Sequence, residues 1–185
     1  MQTEVVISGF GGQGALFAGQ ILAYAGMDYG KEVTWIPSYG PEMRGGTANC
    51  TVIISDEEIG SPLVLKPTTV IAMNLPSLDK YEPAVAKGGT FVVNASLTNR
   101  EVKRDDIDVV MIPANEIAEA LGNRRLMNIV LLGALLAKRP FLPIEAVEAA
   151  FKNHLPERHR HLLEVNLEAL KKGVEFVNGE VEKTV

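Results

Sequence analysis

The first hydrophobic run, Glu4-Val5-Val6-Ile7-Ser8, is short and β-branched and stops at glycines, and from Ala15 to Ala25 the apolar positions continue at helical spacing. This predicts strand, glycine-rich turn, helix. Val33-Thr34-Trp35-Ile36 predicts a second strand ending at Pro37, where a ladder donor is lost, so the opening reads as a βαβ unit. Residues 38–47 show no periodicity and hold three glycines and a proline, which predicts an ordered loop. Ala48 to Ser55 then alternates as a strand, and runs from Thr69 to Met73, Thr90 to Asn94 and Asp108 to Ile112 predict three more. Helical or turn segments such as Ser77 to Ala86 separate them. From Ala114 the pattern is nearly all helical. Leu126, Ile129, Val130, Gly133 and Leu136 follow the i, i+3, i+4, i+7 rule, but Leu131, Leu132 and Leu135 make this helix apolar almost all round, which predicts burial on two sides. Pro140 and Pro143 bracket a break, Ile144 to Asn153 forms another helix, and Leu163, Leu167, Leu170, Val174 and Val177 mark an amphipathic last one. Strands alternating with helices predict a three-layer α/β/α domain on a largely parallel sheet, mixed pairing being left open, with a Rossmann-like start and a helical C-terminal part. Without an internal repeat, a low-complexity stretch or a long linker, residues 1–185 read as one domain.

Composition narrows the function classes. The chain has 185 residues, 46% of them hydrophobic, and one of this length buries roughly 70% of its unfolded surface without staples. Its single cysteine excludes an internal disulfide and a Cys₄ metal or iron–sulfur site of its own. A net charge of −5 with no lysine-rich stripe argues against nucleic acid, which is gripped by clustered Lys and Arg. No apolar run approaches the roughly 20 residues of a membrane span, and Met1-Gln2-Thr3-Glu4 leads into a strand without a charged n-region. A cytoplasmic protein without a membrane partner is expected.

Gly9-Phe10-Gly11-Gly12-Gln13-Gly14 satisfies G-x-G-x-x-G after a strand and at the opening of a helix. Glycines let the backbone approach a ligand closely, and the free N–H groups of the helix start favour an anion. A dinucleotide site also wants an acidic residue at the end of the second strand. That strand ends Ile36-Pro37-Ser38-Tyr39 here, with Glu32 before it. Three readings stay open: a non-dinucleotide phosphate ligand, a dinucleotide, or glycines that only allow tight helix–sheet packing. The loop from Ser38 to Thr47 brings together Tyr39, Glu42, Arg44, Gly45 and Gly46. Either Glu42 and Arg44 order the loop internally, or Arg44 reaches a phosphate or carboxylate across a subunit boundary.

The two stretches together, Gly9 to Gly14 and Ser38-Tyr39-Gly40-Pro41-Glu42-Met43-Arg44-Gly45-Gly46-Thr47-Ala48-Asn49, resemble the gamma subunit of the 2-oxoacid:ferredoxin oxidoreductases. The resemblance continues through Asn123-Arg124-Arg125-Leu126-Met127-Asn128 and Asn166-Leu167-Glu168-Ala169-Leu170. The Glu-Met-Arg-Gly-Gly-Thr form is similar to members acting on 2-oxoglutarate or branched-chain 2-oxoacids, whereas pyruvate-type chains tend to carry a second arginine and an alanine-proline here. The resemblance implies a complex that decarboxylates a 2-oxoacid on thiamine diphosphate, sends electrons through iron–sulfur clusters to ferredoxin and transfers the acyl group to coenzyme A. It further implies alpha and beta partner subunits and a ferredoxin-like delta subunit, with thiamine diphosphate, Mg and the clusters held by those partners. One cysteine and no thiamine-type Gly-Asp-Gly motif agree with that division. Carried onto this chain, Gly9, Phe10, Gly11, Gly12, Gln13 and Gly14 become candidates for coenzyme A, Asn128 a further one, and Tyr39, Glu42, Arg44, Gly45 and Gly46 candidates for a ligand or subunit interface. No catalytic residue and no metal ligand are assigned.

Cys50 shares a strand face with Val52 and Ile54 and reads as a small core residue. His159 and His161, two apart on a helix, point about 200° apart and do not converge on a metal; with His154 they read as solvated or helix-end residues. Arg124 and Arg125 are surface charges, or contacts to coenzyme A phosphates or a partner. The expected function is thus a gamma subunit for assembly and coenzyme A binding, able to dimerise when expressed alone. The alternatives are a stand-alone NAD(P)-dependent oxidoreductase and a purely structural subunit.

Overall fold

Val5 and Ile7 on one face of the first strand and Val6 and Ser8 on the other are all buried, so β1 (Gln2–Phe10) lies in a sheet covered on both sides. The computed structural model describes residues 1–38 and 47–182. Around β1 run β2 (Glu32–Ser38), β3 (Thr47–Ser55), β4 (Thr69–Ala72), β5 (Thr90–Asn94) and β6 (Asp108–Ile112), in the order β2-β3-β1-β4-β5-β6. The β1–β4, β4–β5 and β5–β6 ladders are parallel, while β1–β3 and β2–β3 are antiparallel.

The predicted βαβ opening is present, with one strand inserted. The second strand runs parallel to β1 but not beside it, because β3 inserts between them, antiparallel to both. The alternation of β3 allows this: Cys50, Val52 and Ile54 stand opposite Ile7, Val5 and Thr3 of β1 and opposite Pro37, Trp35 and Val33 of β2. Pro37 does not end β2, which continues to Ser38. An edge strand has one side without a ladder, so a missing N–H is tolerated there.

The helices α1 (Ala15–Asp28), α2 (Leu75–Tyr81), α3 (Ala114–Ala120), α4 (Met127–Lys138), α5 (Ile144–His154) and α6 (Leu163–Glu182) complete three layers. The larger core joins one sheet face to residues of α1, α3, α4, α5 and α6, and the smaller packs Val6, Val70, Ala72, Phe91 and Val93 against Leu78 of α2 and Val85. Cys50 is fully buried, its Sγ on the Ala15 carbonyl. Burial pushes its thiol up to about 12, against a smaller downward pull from Trp35, so it is a core residue and no nucleophile. Glu82, also buried, accepts from the backbone N–H groups of Lys103 and Arg104 and pairs with Arg100 at 2.7 Å, which pins the segment after β5 to the end of α2. None of the described helices is long and apolar enough to cross a membrane.

Every residue of α4 from Met127 to Leu136 is buried, which accounts for its apolar character all round. The sheet lies on one side and α6 on the other. These two helices meet backbone to backbone: a Cβ at Gly133 would collide with the Leu170 carbonyl oxygen, and one at Gly173 with that of Val130. Alanine is the better helix former by about 1 kcal/mol, yet Gly173→Ala should destabilise the chain by about 1–3 kcal/mol through overpacking. Gly179→Ala on the same helix, where a Cβ meets nothing within 4 Å, should stabilise it. Urea unfolding of the two variants reads the opposite signs.

Candidate functional site

The strand β1 runs out at Phe10, and the chain reverses in a turn closed by the Gln13 N–H donating to the Phe10 carbonyl at 3.1 Å. Gly12, third in that turn, has φ +87°, and Gly14, which leads into α1, has φ +80°. Side chains rarely adopt either conformation, so the turn requires glycine at these two positions. No side chain caps α1, so its first N–H groups are left for a ligand or solvent.

Two neighbours hold the turn. Gln13 folds back, its Oε1 accepting from the Phe10 N–H at 2.6 Å and from Asn74 Nδ2 at 3.0 Å. Asn74 also caps α2, its Oδ1 accepting from the Ser77 N–H at 3.0 Å. On the other side Asn128, the second residue of α4 and 5% exposed, donates through Nδ2 to the Gly14 carbonyl at 3.0 Å, while its Oδ1 accepts from the Ile129 N–H. A Cβ at Gly14 would run into the Asn128 amide. Asn128 therefore reaches the predicted site chiefly as a support of the turn.

The turn forms one wall of a cavity of about 560 Å³. Phe17, Gln20, Ile21 and Tyr24 of α1 supply a second wall, Asn123 and Arg125 the approach to α4, and His154, Arg158 and His159 the connection between α5 and α6. Arg125 and Arg158 form no ion pair among the described residues, so the cavity carries two uncompensated guanidinium groups beside an uncapped helix start. His154 lies with Nε2 2.8 Å from Asp28 and its ring stacked on Tyr24 at 4.0 Å and 4°. The basic pair divides: Arg124 lies 3.5 Å from Glu119, while Arg125 faces the cavity.

Sequence reasoning located the glycine turn and flagged Arg125, but read His154 and His159 as solvated or helix-end residues and passed over Arg158. His154 is indeed the last residue of α5, and it also faces the cavity with His159. Among the described residues no cluster of three His, Cys, Asp or Glu side chains is placed to hold a metal. Tyr39, Glu42, Arg44, Gly45 and Gly46 lie outside the described residues.

A family model described as pyruvate ferredoxin/flavodoxin oxidoreductase matches residues 4–176. The 2-oxoglutarate synthase subunit KorC of Methanocaldococcus jannaschii is 38% identical over 179 residues, which cover 95% of this chain and 94% of that protein. The ketoisovalerate oxidoreductase subunit VorA of Methanothermobacter thermautotrophicus is 37% identical over 182 residues, covering 98% of this chain and 38% of VorA. This chain thus spans little more than a third of VorA and nearly all of KorC. Among solved structures, the gamma subunit of a keto/oxoacid ferredoxin oxidoreductase from Geobacter sulfurreducens matches with a TM-score of 0.82 and 31% identity, over 96% of this chain and 99% of that one. The 2-oxoglutarate:ferredoxin oxidoreductase of Magnetococcus marinus, solved with 2-oxoglutarate, coenzyme A and succinyl-CoA bound, shares the fold at a TM-score of 0.85 and 22% identity, over 96% of this chain and 31% of that one. The chain belongs to the pyruvate ferredoxin/flavodoxin oxidoreductase family, in its gamma-subunit form.

Proposed function

We propose that this chain serves a complex that converts a 2-oxoacid and coenzyme A to acyl-CoA and CO₂ while reducing ferredoxin, and that its own part is assembly and the binding of coenzyme A. The observation that carries the second half is the meeting of an uncapped glycine turn with the unpaired Arg125 and Arg158 around one cavity. Backbone N–H groups and guanidinium groups together suit a ligand with several phosphates. The cavity's size is that of a cofactor pocket, and Phe17 and Tyr24 are among its lining residues. Gly9 to Gly14 would hold the phosphates, with Asn128 supporting them. The Magnetococcus enzyme, which shares the fold, has coenzyme A bound, which supports the choice of ligand.

Iron–sulfur clusters do not fit this chain, whose one cysteine is buried in the core; in this reading they are carried by partner subunits, as are thiamine diphosphate and Mg, the partners being alpha, beta and delta chains. The names of KorC and VorA support 2-oxoglutarate or a branched-chain 2-oxoacid as the substrate. The topology argues against the dinucleotide alternative. In a dinucleotide fold the ribose-binding acid stands at the end of a parallel strand beside β1; here one neighbour is the antiparallel β3, and the parallel one, β4, is followed by Met73 and Asn74 and not by an acid.

Anaerobic purification of the tagged chain from its host should bring down thiamine- and cluster-binding chains with coenzyme A-dependent viologen reduction on 2-oxoglutarate or 2-ketoisovalerate. A chain that returns alone and binds NADH would overturn the proposal. In the assembled enzyme Gly12→Asp should raise the coenzyme A KM about tenfold, equivalent to about 1.4 kcal/mol, relative to a Gly12→Asn control that shares its backbone strain without the charge. An equal KM in the two variants would instead favour a purely structural subunit.

The turn itself is tested through Asn74. Asn74→Ser keeps an acceptor that caps α2 but loses the N–H₂ group that donates to Gln13. The variant should retain its melting temperature within a few degrees, while amide hydrogen exchange from Phe10 to Gly14 speeds up about tenfold, the loss of one hydrogen bond worth about 1 kcal/mol.

A further inference from the structure

The end of the sheet opposite the glycine turn carries apolar side chains that the chain leaves exposed. There β1 and β4 begin and β3 ends, and the segment from Asp56 to Thr68 connects β3 to β4 past the start of β1. In this segment Leu63 and Leu65 are 73% and 78% exposed, while Val64 between them is half-buried. The leucines are held outward by an ordered backbone. Pro62 and Pro67 fix φ on either side, and the Leu63 N–H donates to Ser61 Oγ at 3.2 Å. Thr68 Oγ1 donates to the Glu4 carbonyl at 3.2 Å, and the Pro67 carbonyl accepts from the Ala86 N–H at 2.9 Å. At the same end Met27 and Tyr29 are exposed, and Lys31, 5.8 Å from the Tyr29 ring centre and paired with Asp56, links them to the start of the segment. One exposed leucine is ordinary, but two presented rigidly at the end that also bears Met27 and Tyr29 mark a protein contact.

Charge selects the occupant. Glu57 and Glu58, both exposed, leave β3 on one side of β1, whereas Lys66 and Lys87, also exposed, stand on the other side, shortly before β4 and β5. None of the four forms an ion pair among the described residues. With β3 and β4 two places apart in the sheet, the strands that the two flanks adjoin are about 10 Å apart. A surface with an apolar centre, acid on one flank and base on the other is complementary to itself, because a twofold axis through the centre sets each flank against its opposite.

We propose that this end of the sheet is a contact between two copies of the chain, with Leu63 and Leu65 at the twofold axis and Glu57 and Glu58 of each copy facing Lys66 and Lys87 of the other. The nine residues of β1 separate the contact from the glycine turn, so pairing here leaves both turns free for ligand and for the other subunits.

Ser61→Cys tests the contact, since it places an exposed thiol beside the leucines in a chain whose own cysteine is buried. In the assembled enzyme a short bismaleimide should join two gamma chains into a band of twice the 20.0 kDa of one. Adding Leu63→Glu and Leu65→Glu should lower the yield of that band at least fivefold with the partner chains still bound. Reversing one flank with Glu57→Lys and Glu58→Lys should lower it at least twofold, and adding Lys66→Glu and Lys87→Glu should restore it, a recovery that requires the facing surface to be the same chain. The proposal is overturned by a band that joins this chain to a partner subunit, by the absence of a gamma–gamma band, by an unchanged yield in the leucine variant, or by a double reversal that fails to restore it. A chain that purifies without partners refutes the assembly reading alone, and the same cross-link in the lone chain then decides the contact.

Discussion

The Asn128 amide donates to the Gly14 carbonyl, joining two points 114 residues apart in sequence. This contact sets the start of α4 against the start of α1, and the absence of a side chain at Gly14 lets the two come so close. The rest of the site depends on that approach. It brings Asn123 and Arg125 to the cavity mouth, and it leaves the glycine turn standing free between two depressions instead of buried under a helix. From the other side Asn74 and Gln13 fasten the turn to the β4–α2 corner. The geometry of the turn is thus held by side-chain amides from two separate parts of the chain.

The fold was largely legible where burial on both faces imposes a plain pattern. The β-branched runs of β1, β4 and β5 and the alternation of β3 placed those strands within a few residues of their observed ends. The all-round apolar α4 was read as buried on two sides, which α6 and the sheet provide. The neighbour of each strand was not legible. Alternation says which residues share a face and is silent on which ladder a strand joins, so β3 entering between β1 and β2 could not be foreseen. The site divides in the same way. Local chemistry marked the glycine turn, since strand, glycines and helix are contiguous, but His154, Arg158 and His159 arrive from more than 140 residues away. Nothing near them in sequence signals the cavity.

The division of labour also has a physical reading. A chain with one buried thiol offers no cluster ligands, yet it presents an electropositive pocket at the end of a rigid sheet. This chain spans about a third of VorA and nearly all of KorC, so the same unit occurs both as part of a longer polypeptide and as a chain of its own.

The burial of Cys50 has one more consequence, for how the chain meets oxygen. A thiol held protonated far above neutrality, with its sulfur facing Ala15 and the Trp35 side of the core, presents almost no thiolate to peroxide or to a disulfide. Whatever air does to an assembled enzyme of this family, it does not begin at the thiol of this chain.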